Sequence, residues 1–117
     1  MTEIILPDEV MMESFDAFLA EGREVRFTPK GVSMRPFIEG GRDSVILMKN
    51  DVVEVGDIVL AKLKDGRFVL HRVIAKSGDC LTLMGDGNLQ GTESAKVCGV
   101  LGTAVGIVKP NGKIVKP

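Results

Sequence analysis

The chain has 117 residues, 44% hydrophobic and 26% charged, which suits one domain that buries its own core without staples. Fifteen basic residues against sixteen acidic ones leave a net charge of −1 with no basic stripe, so no nucleic-acid footprint is expected. The longest mostly apolar run, Val97 to Val108, is broken by Gly99, Gly102, Thr103 and Gly106 and falls short of the ~20 residues of a membrane span. Glu3, Asp8 and Glu9 stand where a secretory signal would carry basic residues, so the expectation is a cytoplasmic protein with no transmembrane segment. Pro7 to Gly22 reads as a helix: Pro7 and Asp8 start it, Glu9 suits its positive end, and Gly22 stops it. Met11, Phe15 and Phe18, with Met12 and Leu19 beside them, give it an apolar stripe for a core.

After Gly22 the hydrophobic period changes from 3.6 to 2. Five segments read as strands: Glu24 to Thr28, Ser44 to Met48, Asp57 to Leu63, Arg67 to Ala75 and Leu81 to Met84. Lys64-Asp65-Gly66 is a hairpin turn, and Asn111-Gly112 between Ile107-Val108-Lys109-Pro110 and Ile114-Val115-Lys116-Pro117 is a second. The expectation is one mainly-β domain over 1–117, with a helix at 7–22, a β core at 24–109 and a terminal hairpin at 107–117.

Three segments could carry chemistry. Ser33, in Gly31-Val32-Ser33-Met34-Arg35-Pro36, follows a glycine turn and precedes a proline, so it cannot sit inside a regular element. Such a turn can present the hydroxyl outward with backbone N–H groups converging beside it, although turn serines commonly bond only their own backbone. His71 shares a strand face with Val69 and Val73, where an imidazole needs a hydrogen-bond partner, while Arg72 lies on the other face with Leu70 and Ile74. The third segment, Leu83-Met84-Gly85-Asp86-Gly87-Asn88, offers an acid to orient that histidine, or only a turn, and Glu93 follows shortly after. Cys80 and Cys98 belong to no CxxC pair, and one histidine leaves a Cys/His zinc site short of ligands. Two free thiols and no metal or cofactor are expected.

In this order, Gly31-x-Ser33-Met34-x-Pro36, Gly56-Asp57-Ile58-Val59, His71-Arg72-Val73 and Gly85-Asp86-x-Asn88 resemble the signal peptidase family. The likeness is to its endoplasmic-reticulum and archaeal branch, where histidine replaces the lysine of bacterial signal peptidases and LexA-type autoproteases. The resemblance implies the LexA/signal-peptidase β-fold, with Ser33 as nucleophile and His71 as general base. It also implies an oxyanion site at the Ser33 N–H and near Gly31, and substrate contacts at Met34 and Pro36. The orienting acid would be Asp86, with Glu93 second, since Asp86 matches with no gap. Three features depart from the family. The helix of Pro7 to Gly22 stands where an anchor precedes the serine box, the usual Gly-Asp reads Gly40-Gly41-Arg42-Asp43, and Glu93 is off the usual spacing. The expected partner is a peptide or protein bound as an extended strand, cut as a leader or propeptide. The alternative is a catalytically inactive peptide-binding or dimerisation module of the same fold.

Overall fold

The computed structural model describes residues 9–29, 34, 35, 37–87 and 91–117. Helix α1 (Glu9–Ala20) leads into eight strands. They are β1 (Val25–Phe27), β2 (Ser44–Met48), β3 (Ile58–Lys62), β4 (Phe68–Ser77), β5 (Cys80–Met84), β6 (Glu93–Lys96), β7 (Val100–Val108) and β8 (Ile114–Val115). All pair antiparallel in one curled sheet of order β1-β2-β7-β3-β4-β5-β6, with β8 added on β7. The chain is therefore a single mainly-β domain with an N-terminal helix and a C-terminal hairpin.

The helix ends as its glycine demands. Gly22 takes φ +81°, its N–H reaches the Leu19 carbonyl, and the Arg23 N–H reaches the Phe18 carbonyl, which is a Schellman closure. The phase of the apolar stripe differs from the expectation. Met12, Phe15 and Leu19 face inward, while Phe18 is 40% exposed and lies under the Arg23 guanidinium at 4.6 Å. A spacing of three then four keeps the first set on one face, and Phe18 falls about 100° off it. The Met11 side chain lies outside the described residues. Burying each inward side chain contributes roughly 1.5–3 kcal/mol, and Phe15 stacks on Phe27 at 5.5 Å to hold α1 against β1.

The five strands expected from alternation form, within two residues at each end. Leu63 donates its N–H to Arg67 and Gly66 its N–H to Leu63, so Lys64-Asp65-Gly66 is the hairpin turn expected. Lys109 and Lys113 repeat that pattern at the terminal hairpin, where Ile107 pairs with Val115. Two strands were not anticipated. β6 is short, and β7 hides in the broken apolar run because, in mid-sheet, it is buried on both faces and so lacks alternation. Gly102 has its purpose there: a Cβ would stand 3.1 Å from Leu19 Cδ1, so glycine lets α1 settle on the sheet.

The sheet separates two cores. Alternation along β3 sends Ile58 and Leu60 into the larger one, under α1, and Val59 and Ala61 into the smaller one, with Leu63, Leu81, Leu83, Ala95 and Val100. β4 divides the same way: Leu70 joins the larger core and Val73 the smaller. This division places the described residues of the candidate site.

Candidate functional site

His71 lies in β4 directly opposite Val59, which lies opposite Thr103, so the three share one row on the smaller-core face. The histidine side chain is 6% exposed, and its Nδ1 stands 2.7 Å from Glu93 Oε1. Glu93 opens β6 opposite Leu83, and Leu83 lies opposite Val73, two residues beyond His71 on the same face. The curl of the sheet and the long glutamate side chain close the remaining gap. With Nδ1–H donated to the carboxylate, the free lone pair is on Nε2. No hydrogen bond to Nε2 is found among the described residues.

Asp86 does something else. Arg72 points to the opposite face from His71, and its Nε and Nη2 grip Asp86 Oδ1 and Oδ2, each at 2.7 Å. Its Nη1 donates to the Gly56 carbonyl at 2.8 Å, and its guanidinium lies 5.3 Å from the Phe37 ring centroid. The hydrogen bonds that it donates to the Asp86 carboxylate raise the Arg72 pKa above its ordinary value. The expectation that Asp86 precedes Glu93 as partner of the histidine is corrected: strand alternation puts Asp86 across β4 from the imidazole, and Glu93 takes that place.

Met34 also differs from its expected substrate contact. It is fully buried in the larger core, and its sulfur accepts the Asp86 N–H at 3.4 Å. It is an anchor for its segment. Ser33, Gly31 and Pro36 lie outside the described residues.

The segment after the serine box is held by Asp43, the last residue of Gly40-Gly41-Arg42-Asp43. Asp43 is fully buried, and its Oδ2 accepts from the Glu39 N–H at 2.8 Å and from Lys109 Nζ at 2.7 Å. Arg42 Nε reaches Oδ1 at 3.1 Å, and the same Lys109 ammonium bonds the Phe37 carbonyl at 3.0 Å. Burial alone would raise the Asp43 carboxyl, but the bonds from Lys109, Glu39 and Arg42 outweigh it and bring the pKa down to about 2. The end of β7 is thus tied to the loop that carries Phe37 and Ile38. A sequence signal existed: a lone aspartate directly before an apolar strand needs a cation when buried.

Cys80 and Cys98 are free and exposed. Among the described residues, no group of three or more His, Cys, Asp or Glu could hold a metal ion, and no helix is long and apolar enough to cross a membrane. No protein-family model matches the sequence, and no curated protein matches it.

Proposed function

We propose that the chain is a serine peptidase of the signal-peptidase type, acting in the cytoplasm on a leader or propeptide. The observation that carries this reading is the buried His71–Glu93 pair, 2.7 Å apart, which fixes the imidazole and leaves Nε2 as an acceptor. Ser33 is the nucleophile, His71 the general base, and Glu93 the acid that orients the ring and supports its positive charge. Two contacts tie the segment after Ser33 to β4, the strand that carries the histidine, on its Arg72 face. Met34, next to Ser33 in the chain, bonds the Asp86 N–H, and Asp86 grips Arg72, next to His71.

In the first step the Ser33 hydroxyl gives its proton to His71 Nε2 as its oxygen attacks the scissile carbonyl carbon. The tetrahedral oxyanion is held by the Ser33 N–H and a donor near Gly31. Collapse breaks the C–N bond, Nε2–H protonates the leaving amine, and water then hydrolyses the acyl-enzyme by the same proton route. The peptide has a place to lie. β4 pairs with β3 from Phe68 to Arg72 but with β5 only from Arg72 onward. Among the described residues, the other edge of Phe68 to Leu70 carries no strand, and it leads straight to His71. An extended substrate can hydrogen-bond there.

A fluorophosphonate probe tests the nucleophile. Wild type should label at Ser33, and Ser33→Ala should not. His71→Ala should lower peptide cleavage ~10³-fold or more, and His71→Lys should not restore it. No labelling under any condition, with no cleavage by mass spectrometry, would identify a non-catalytic peptide-binding module instead.

A further inference from the structure

A pocket of about 400 Å³ opens at the seam where the sheet curls back on itself, between β6 and the end of β3. Leu63, Ala95, Cys80 and Cys98 give it apolar surface, and its charged lining residues are all lysines: Lys62, Lys64 and Lys96. In a chain of net charge −1, three ammonium groups around one apolar pocket make a local positive field. Their present contacts are loose. Lys62 Nζ lies 5.6 Å from the Phe68 ring centroid, and Lys96 Nζ stands 3.9 Å from an Asp79 carboxylate that is 72% exposed.

The wall of the pocket is also a sheet edge. β6 pairs with β5 on one side and, among the described residues, with no strand on the other, so one edge of Ser94 to Lys96 is open along the pocket. The chain then turns onto the end of β3 so closely that a Cβ on Gly99 would lie 2.8 Å from the Lys62 carbonyl oxygen. Open backbone groups beside a pocket with ample room for an apolar side chain suit strand addition, and the flanking cations add a preference for acidic neighbours.

We propose that this groove binds an extended segment of the peptide substrate, remote from the cut, with an apolar side chain flanked by acidic ones. The apolar side chain enters the pocket, the backbone pairs with β6, and the acids meet Lys62, Lys64 and Lys96. Glu93, which holds His71, is the residue before Ser94 in the same strand, so a segment seated here lies within a few residues' reach of the histidine. The identity of the occupant as substrate rests on the peptidase reading; the groove does not.

The test uses the Ser33→Ala protein, so that binding is measured without turnover, and fluorescein-labelled ten-residue peptides with a central Glu-Leu-Glu. The parent peptide should bind, and a Lys-Leu-Lys version should bind at least about tenfold more weakly. The triple variant Lys62→Gln, Lys64→Gln, Lys96→Gln should lose about tenfold, from about two- to fivefold per exposed pair. Alternate N-methylation of the peptide backbone should abolish binding, and the bound parent should slow alkylation of Cys80 and Cys98 by N-ethylmaleimide. Equal binding of the N-methylated peptide, or no effect of the triple variant, overturns the proposal. So does binding of decanoate where no peptide binds, since the pocket is then one for small amphipathic anions. Binding by Ser33→Ala with no cleavage by wild type removes the peptidase reading and keeps the groove. Cleavage whose KM ignores the triple variant removes the groove and keeps the peptidase.

Discussion

His71 and Arg72 are neighbours in one strand, yet the two faces of β4 treat them in opposite ways. Every nitrogen of Arg72 is committed: Nε and Nη2 to Asp86, Nη1 to the Gly56 carbonyl, with the Phe37 ring beneath. Among the described residues, His71 is held at one nitrogen only, by Glu93. In its own row, beyond Val59, the Thr103 hydroxyl is buried without a partner among the described residues. The Arg72 face is closed chemically, and the His71 face is left with unused polar atoms. A group bonded on every side holds a fold; one fixed at one end and open at the other can exchange a proton.

The sharpest way to break this contrast is to neutralise the two acids separately. Glu93→Gln should lower cleavage by ~10²–10⁴-fold with little change in melting temperature, since it removes the ring's orienting charge. Asp86→Asn should do the reverse. It leaves a half-buried guanidinium short of its partner, at a loss of about 1–3 kcal/mol after allowance for partial exposure. That is several degrees of melting temperature for a domain this size. Rates measured well below both transitions decide it: if Asp86→Asn loses the rate and Glu93→Gln keeps it, the two faces have been read the wrong way round.

Acid titration sharpens the same contrast at smaller amplitude, because Asp43 is another fully committed group. Its folded pKa of about 2 lies below the ordinary 3.8. Its stabilisation is therefore present above pH ~4 and lost as the pH falls toward 2, a change of about 2 kcal/mol. Denaturant titrations from pH 6 to pH 2 should show that limb in wild type and lose it in Asp43→Asn. The smallest effect belongs to Thr103. Thr103→Val removes a hydroxyl with no partner and should raise stability by up to about 1 kcal/mol. A loss instead would mean that the hydroxyl is satisfied, and the His71 face less open than described.

These residues also show what a sequence can and cannot disclose here. The helix and five strands were legible because α1 and β1–β5 carry clear periodicity and their turns carry Gly, Asp or Pro. β7 was not, since a strand covered on both faces loses its alternation and its two glycines, Gly102 and Gly106, imitate loop punctuation. His71 and Arg72 were placed on the correct faces by alternation alone. The acid was misjudged for a related reason. Local turn chemistry around Asp86 says how tightly the chain bends, but which face the carboxylate reaches depends on pairing β5 with β4 at a given register. Glu93 becomes the neighbour of His71 only through two strand pairings and the curl of the sheet, none of which is written in its own surroundings.

The position of β7 has a consequence for how the chain is made. β2 and β3 never touch as a pair; each bonds to β7, which comes from residues 100–108. On the ribosome, everything from α1 to β6 emerges while the centre of the sheet is still missing, so β2 and β3 each present an unpaired edge to their surroundings. The helix waits as well, because the glycine it rests on is Gly102. Closure of this domain is therefore a late event governed by contacts distant in sequence, and the interval before β7 arrives is when a nascent chain has most need of a chaperone.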